Sequence, residues 1–190
     1  MINNLTFVSF RYNEAPEIHK QHIKSLIYKV WNIEDNDEIH RNEYDAMSFC
    51  SYLDRQIAGY AGIISISVTI KDNTYKLGAL SCVCTHPEYQ RQGIGSKTIQ
   101  NATEWIINKS GLDAGLFTCY PQHAAFYEKS GIWTRDNSLI LKGSSREGAL
   151  SSYHLQLVVM KALFSEKAKS NACDFTKATI ALNLPVGQFI

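Results

Sequence analysis

The chain has 190 residues, of which 45% are hydrophobic and 19% are charged, and its formal net charge is +1. This composition is typical of a soluble globular protein, and no run approaches the roughly 18 apolar residues that a membrane span needs, so we expect residues 1–190 to form one domain with no membrane partner. The basic residues are scattered along the sequence, which argues against nucleic acid as the main partner.

The first part of the chain predicts a strand followed by an amphipathic helix. Leu5–Phe10 alternate as in a strand, and apolar residues at helical spacing extend to Trp31 on a helix expected to open near Pro16. The acidic run Glu34–Glu38 is interpreted as a solvated connection, with contact to a cationic substrate as the alternative. Three strand-like runs follow, separated by turn-forming polar residues: 48–53, 57–70 and 76–85. They predict an antiparallel meander.

The second part of the chain alternates helices and strands. Helical spacing covers two segments and strand-like runs cover three: helices at 96–109 and about 122–130, strands at 116–119, 138–142 and 153–161. The last two strands are expected to pair across the loop 143–148. This order predicts an α/β (α+β) fold with a mixed, mostly antiparallel central sheet flanked by helices. The tail 165–190 is a C-terminal extension that we expect to pack on the domain without defining it.

The cysteines and the N-terminus both indicate an intracellular protein. The five cysteines are an odd number at spacings that match no disulfide framework: Cys50, Cys82, Cys84, Cys119 and Cys173. Cys82 and Cys84 lack the further Cys and His partners of a zinc site. We therefore interpret the cysteines as reduced thiols, most of them buried on strands, and expect no metal. Residues 1–5 lack the features of a secretory signal, so the expected location is the cytoplasm.

A glycine-containing turn at Gln90–Ser96 is the segment with the clearest chemical meaning. A turn of this kind before a helix lets the backbone approach a ligand, and the free N–H groups of the first helical turn attract an anion. Gly93 and Gly95 remove side chains where phosphate oxygens would lie, and Arg91 adds a positive charge. A purely structural turn is the alternative. The third glycine of a dinucleotide fingerprint and the Gly-Lys-Ser/Thr of a phosphate loop are both missing, so nicotinamide cofactors and ATP fit poorly.

The sequence around this turn resembles the GCN5-related N-acetyltransferase (GNAT) superfamily. Gln90-Arg91-Gln92-Gly93-Ile94-Gly95 is similar to its Gln/Arg-x-x-Gly-x-Gly/Ala signature, and Ala124–Ile132 is similar to its late Phe-Tyr-Glu-Lys-x-Gly-Phe run. The two motifs occur in the order of the family, and the predicted elements of residues 1–161 suit its fold. The resemblance implies an N-acetyltransferase whose acyl donor is acetyl-coenzyme A.

The resemblance also implies where the donor binds. The pyrophosphate would lie on the N–H groups of Arg91 to Ser96, with Gln92 and Ser96 as neighbours. The pantetheine arm would pair with the strand main chain at Val83–Thr85, and a strand N–H would polarise the thioester carbonyl. The cofactor-binding set implied in this way is Val83, Cys84, Thr85, Gln90, Arg91, Gln92, Gly93, Ile94, Gly95 and Ser96.

For catalysis, the resemblance implies that Tyr127 is the general acid that protonates the leaving thiolate. Many relatives place a Glu on the strand before the turn, but the corresponding position here falls at Ser81 or Cys82. The sequence therefore leaves two alternatives open: water-mediated deprotonation with backbone carbonyls or a remote carboxylate such as Glu43 or Asp54, or an amine of low pKa that needs no dedicated base.

Other side chains remain weaker candidates. His86 and His123 are alternative catalytic histidines, and each is more readily interpreted as structural. A nucleophilic cysteine at position 82, 84 or 119 would need an activated thiolate, which strand cysteines seldom provide. Tyr120 stands where relatives often have an Asn that contacts the cofactor arm.

Three functions remain open at this stage. The first is direct acetylation of a small primary amine or an amino sugar. The apolar-Gly-polar-aromatic segment at 186–190 loosely resembles the aminoglycoside 2'-N-acetyltransferases, although Gln188 replaces an acidic residue of that group. The second is acetylation of a peptide N-terminus or a lysine, and the third is a non-catalytic acyl-CoA sensor. A homodimer is left open.

Overall fold

A computed structural model describes residues 4–32, 39–109, 111–185 and 187–190. The acidic run Glu34–Glu38 and Val186 therefore lie outside the described residues. The chain forms two compact units, the first made of residues up to Ile64 with Leu80–Glu104 and the second of Ser65–Ala79 with Trp105–Ile190. Among the described helices, none has both the length and the apolar character required to cross a membrane.

The first unit contains four strands in the order β1-β2-β3-β4. Its elements are β1 (Leu5–Arg11), α1 (Glu17–Trp31), β2 (Met47–Leu53), the first part of β3 (Gln56–Ile70), the last part of β4 (Asn73–Thr85) and most of α2 (Ile94–Lys109). β1 and β2 are antiparallel, with Leu5 opposite Leu53, and β2 and β3 are antiparallel with a bulge between Ser51 and Tyr52. Because eight successive residues of β3 are buried, β3 is an interior strand.

Helix α1 begins and ends where local sequence signals place it. Pro16 occupies its N-cap, and Asn32 ends it in the left-handed region with φ 50°. Ile23, Leu26 and Ile27 share one face and are buried. The predicted helix opening near Pro16 is therefore confirmed, since proline suits a helix start and an i, i+3, i+4 stripe buries one face.

The second unit contains the strand order β3-β4-β5-β8-β6 and a separate two-stranded sheet. Its further elements are β5 (Ala114–Cys119), α3 (Pro121–Lys129), β6 (Thr134–Asp136), β7 (Ile140–Lys142), β8 (Val158–Leu163), α4 (Glu166–Ser170) and β9 (Thr179–Ala181). β4 and β5 are parallel, whereas β8 is antiparallel to both β5 and β6. The predicted fold class, a mixed and mostly antiparallel sheet flanked by helices, is confirmed.

The predicted pairing of 138–142 with 153–161 is wrong. β7 pairs in parallel with β9 of the tail, while β8 begins only at Val158 and pairs with β5 and β6. Tyr153 is 72% exposed and Gln156 has φ 54°, so the start of the predicted strand is instead a surface turn. The apolar pattern could not mark this boundary because Leu155, although apolar, is 39% exposed.

The tail beyond residue 165 packs within the second unit, as predicted. Its apolar side chains are buried: Phe175, Ile180, Leu182 and Leu184. Asp174, which is only 3% exposed, accepts hydrogen bonds from Tyr75 Oη at 2.7 Å and Asn73 Nδ2 at 3.0 Å and lies 3.0 Å from Lys71 Nζ. The tail is thus held by a buried carboxylate as well as by apolar packing.

Candidate functional site

The turn between β4 and α2 has the backbone shape that the sequence predicts. After Thr85 the chain makes a 3-10 turn at Pro87–Tyr89 and reaches the first helical residue, Ile94, through a tight turn. Arg91 and Gly93 both lie in the left-handed region, with φ 61° and 81°. A Cβ atom at residue 93 would meet no atom within 4 Å, so the space beside this glycine is open.

The start of α2 presents backbone donors beside that space. The first hydrogen bond of the helix runs from Lys97 N–H to the Gly93 carbonyl at 3.1 Å. The N–H groups of Ile94, Gly95 and Ser96 precede it and have no acceptor within the helix, since a helix leaves its first N–H groups unpaired. Together with the helix dipole, these donors favour an anion at this position.

Gly59 on β3 fixes the start of α2 against the sheet. A Cβ atom at residue 59 would lie 2.9 Å from Thr98 Oγ1 and 3.2 Å from Ile94 Cγ2. Thr98 is buried, donates to the Ile94 carbonyl at 2.9 Å and hydrogen-bonds to Ser51. The close approach of helix to strand therefore depends on the absence of a side chain at residue 59.

His86 has a structural role in the same segment. It is 3% exposed, and its Nδ1 accepts a hydrogen bond from Glu88 N–H at 3.3 Å. Its ring packs on Tyr89 at a centroid distance of 5.0 Å, and Tyr89 Oη donates to Gln56 Oε1 at 2.8 Å. His86 thus caps the 3-10 turn that leads into the glycine turn, which favours the structural interpretation of this histidine.

The glutamine side chains of the turn bond to nearby carbonyls. Gln90 Nε2 donates to the Thr85 carbonyl at 3.4 Å, and Gln92 Nε2 donates to the Glu88 carbonyl at 3.1 Å. Both residues and Arg91 are exposed. These side chains shape the outer surface of the turn, while its donor groups come from the backbone.

The strand that precedes the turn, β4, continues to Thr85 but contains Cys82 in the left-handed region, with φ 53°. A left-handed φ is uncommon for a non-glycine residue and departs from the extended backbone of a regular strand. Val83 and Thr85 follow it half-buried, and Cys84 is buried. No feature of the sequence predicted this conformation.

None of the five cysteines forms a disulfide. The surroundings of the four cysteines on strands disfavour the thiolate form of each side chain. Burial raises the pKa of Cys50 to about 12 and that of Cys119 to about 11, and it also raises the pKa values of Cys82 and Cys84. Since the thiolate is the nucleophile, these environments argue against a covalent acyl-cysteine intermediate. The prediction that most of the cysteines are buried on strands is confirmed.

Tyr127 belongs to the second unit, whereas the ten predicted cofactor-binding residues lie together in the first. Its half-buried ring packs edge-on against Phe117 at 4.8 Å and on Phe126 at 5.3 Å. Two further candidate residues are exposed: Tyr120, 59% exposed, precedes α3, and His123 lies in the first turn of that helix.

The predicted remote carboxylates are exposed and already hydrogen-bonded. Glu43 lies 3.4 Å from Arg41 Nη1, and Asp54 accepts from Asn4 Nδ2 at 2.9 Å. Within the described ranges, no three His, Cys, Asp or Glu side chains form a group that could hold a metal ion.

A buried polar network escaped the sequence analysis. His40 Nε2 lies 2.7 Å from Tyr60 Oη, which is also 3.0 Å from Ser48 Oγ. All three residues are at most 3% exposed, and burial lowers the pKa of His40 to about 4. In the sequence, this network is signalled only by Gly62 inside a buried strand, because a glycine in a strand often marks the close approach of another group.

The sequence profile of the Acetyltransferase (GNAT) family matches residues 14–132, more than half of the chain. The chain belongs to the GNAT family. Enzymes of this family use acetyl-CoA as donor, and membership makes the chain an N-acetyltransferase. No curated protein matches it in sequence.

Solved structures share the fold of this GNAT protein at low sequence identity. Escherichia coli ElaA is 12% identical with a TM-score of 0.58, covering 83% of this chain and 98% of its own. An acyl-CoA N-acyltransferase from Pseudomonas aeruginosa is 11% identical with a TM-score of 0.57 and the same coverage. An aminoglycoside acetyltransferase, meta-AAC0020, from an uncultured soil metagenomic sample is 19% identical with a TM-score of 0.51, covering 67% and 88%. At these identities the likeness shows the fold alone.

Proposed function

We propose that this GNAT enzyme transfers the acetyl group of acetyl-CoA directly to a small primary amine or an amino sugar. The observation that carries the donor part of the proposal is the open space beside Gly93 at the start of the sixteen-residue helix α2. The N–H groups of Ile94, Gly95 and Ser96 bind the pyrophosphate there, and Arg91 adds positive charge. The family profile matches residues 14–132, and these residues belong partly to the first unit and partly to the second. This supports the view that the chain acts as one acyltransferase domain with an extension at 165–190.

The acyl arm runs along Val83–Thr85 in this proposal. The parallel ladder between β4 and β5 comprises two residue pairs, Leu77 with Ala114 and Gly78 with Gly115, so it ends well before Val83. The left-handed φ of Cys82 departs from regular strand geometry just before this segment. A freed strand N–H then polarises the thioester carbonyl and stabilises the developing oxyanion.

The chemical step is attack of a neutral amine nitrogen on the thioester carbon. The C–N bond forms as the C–S bond breaks, and the thiolate leaving group takes a proton from Tyr127. The amine proton is released to water, and Tyr127 regains a proton from water before the next turnover. The raised pKa values of Cys82, Cys84 and Cys119 support direct transfer, because a route through an acyl-cysteine would need a thiolate.

Thermal unfolding with and without acetyl-CoA tests the donor site. We expect acetyl-CoA to raise the melting temperature of the wild type, and Gly93→Glu to lose that rise because a carboxylate would occupy the pyrophosphate position. Gly111→Glu is the matched control, since Gly111 also has a positive φ, 66°, and open space beside it. An equal acetyl-CoA shift in both variants would contradict the assignment.

Thiol release from acetyl-CoA against a panel of acceptors tests the rest of the proposal. The panel contains short primary amines, amino sugars, peptides with a free N-terminus, and aminoglycosides including sisomicin, which is bound in one structure of meta-AAC0020. We expect turnover with the small amines or amino sugars. Turnover with peptides alone would favour the peptide acetyltransferase, and acetyl-CoA binding with no turnover would favour the sensor.

A further inference from the structure

A groove of about 730 Å³ lies in the first unit between β1, α1 and the end of β2. Its volume falls in the range of about 300–1,000 Å³ that is common for small-molecule sites. None of the residues predicted to bind acetyl-CoA lines it. Binding of the acyl donor therefore does not account for this groove.

Three polar side chains on one wall of this groove hold each other in place. Tyr52 Oη lies 2.9 Å from His19 Nδ1 and 3.3 Å from His22 Nδ1. Burial raises the pKa of Tyr52, so the phenol keeps its proton; it can donate to one imidazole and accept from the other. The Phe10 ring packs on His19 at a centroid distance of 5.1 Å, which further restricts that imidazole.

Apolar side chains on the same groove are left open to solvent. Val8 of β1 is 39% exposed, and Ile18 of α1 is 54% exposed. Small-molecule sites in proteins typically have a largely apolar lining with a few polar groups held in fixed positions. This groove has both features.

The charges at the end of the groove favour an anion. Arg55 lines the groove and also an adjoining cleft of about 380 Å³, which Lys29 lines as well. Asp54 is the one carboxylate among the described residues that line either space, so the two cations Lys29 and Arg55 outnumber it. Neither Lys29 nor Arg55 forms an ion pair within the part of the chain that the structure describes.

We propose that this groove is a second ligand site that binds a small carboxylate with an aromatic or branched apolar body. The carboxylate lies against Arg55 and the imidazoles of His19 and His22, and the apolar body lies against Val8 and Ile18. The site is separate from the acyl-transfer reaction and does not depend on the proposed acceptor.

An NMR titration of the full chain with sodium benzoate tests this site. We expect the imidazole signals of His19 and His22 to shift saturably, and both benzyl alcohol and acetate to bind at least about tenfold more weakly, because each lacks one half of the recognised chemistry. Arg55→Gln should weaken benzoate binding about tenfold, as expected for loss of a charged hydrogen bond. Arg11→Gln, which removes an exposed arginine paired with Asp45, is the matched control and should leave binding unchanged.

A second variant tests the role of the polar wall. Tyr52→Phe keeps the ring but removes the hydroxyl that orients both imidazoles, and should also weaken benzoate binding about tenfold. The proposal is overturned if no imidazole signal moves, if benzyl alcohol or acetate binds as well as benzoate, if Arg55→Gln and Arg11→Gln bind alike, or if the shifts fall on Gln90–Ser96 instead.

Discussion

Gly62 leaves the space that His40 occupies: a Cβ atom at residue 62 would lie 2.5 Å from His40 Nε2 and 3.2 Å from Tyr60 Oη. His40 cannot simply move away, because it is buried and hydrogen-bonded to Tyr60 at 2.7 Å. The first prediction is therefore that Gly62→Ala lowers the free energy of unfolding by about 1–3 kcal/mol, the usual cost of overpacking. Urea denaturation measures it.

A double-mutant cycle isolates this contact from the general cost of changing glycine in a strand. In a His40→Ala background the added methyl group meets no imidazole, so Gly62→Ala should cost much less there. An equal cost in both backgrounds would show that the clash with His40 is not the cause.

The second prediction concerns the pH dependence of stability. Burial lowers the pKa of His40 from 6.5 to about 4, so between these values the unfolded chain binds more protons than the folded one. The free energy of unfolding should therefore fall as the pH decreases from about 6.5 to 4, by up to about 3 kcal/mol from this residue.

Urea denaturation at pH 7.0 and 4.5 checks this contribution against a matched histidine. His40→Gln should flatten the pH dependence, because glutamine does not titrate. His154→Gln, which changes an exposed histidine, should leave the dependence as in the wild type. If His40→Gln retains the full dependence, other groups are responsible for it.

The third prediction concerns Tyr127, the proposed general acid. Tyr127→Phe keeps the ring that packs on Phe117 but removes the proton donor, so kcat should fall by about 100-fold while the KM for acetyl-CoA changes little. Steady-state thiol release measures both constants. Tyr153→Phe, on a residue that is 72% exposed, is the control. A Tyr127→Phe enzyme with unchanged kcat at every pH would remove the residue from the mechanism.

The fourth prediction concerns the carboxylate that holds the tail. Hydrogen bonds from Tyr75, Lys71 and Asn73 lower the pKa of Asp174 to about 2, below its unfolded value, so its contribution to stability is present above about pH 4 and is lost as the pH falls towards 2. Asp174→Asn should lower the melting temperature at pH 7.

The size of that loss at two pH values separates this explanation from a simple packing defect. The difference between wild type and Asp174→Asn should be largest at neutral pH and should shrink at pH 2–3, where the wild-type carboxylate is also protonated. Asp45→Asn, which removes an exposed carboxylate bonded to Arg11, should change the melting temperature less. A constant difference across pH would indicate packing alone.

The elements that the sequence predicts well are those whose pattern is long and local. Helix α1 and the long strands β3 and β4 extend over many residues of one periodicity, and Pro16 marks a boundary directly. β6, β7 and β9 have three residues each, which is too few for a period, and β7 pairs with a tail strand far away in sequence. Such pairing is decided by tertiary packing, which the local pattern does not contain.

The same division applies to the candidate site. The glycine turn and its helix could be predicted because Gly93 and the motif around it are contiguous. The left-handed Cys82 and the His40–Tyr60 network could not, because a positive φ at a non-glycine residue has no composition signal and the network joins residues from separate elements. The groove beside His19 and His22 was likewise invisible, since its walls come from β1, α1 and β2.

Gly59 has a consequence for any attempt to move the turn that we propose to bind the pyrophosphate into another protein. The donors of the turn are backbone groups, so most of its side chains could be exchanged without loss of the donors themselves. Their position, however, depends on a helix start that touches β3 where residue 59 has no side chain. A graft of residues 90–98 onto a different sheet would therefore need a small residue on the facing strand. The helix start and that strand position must be transferred together.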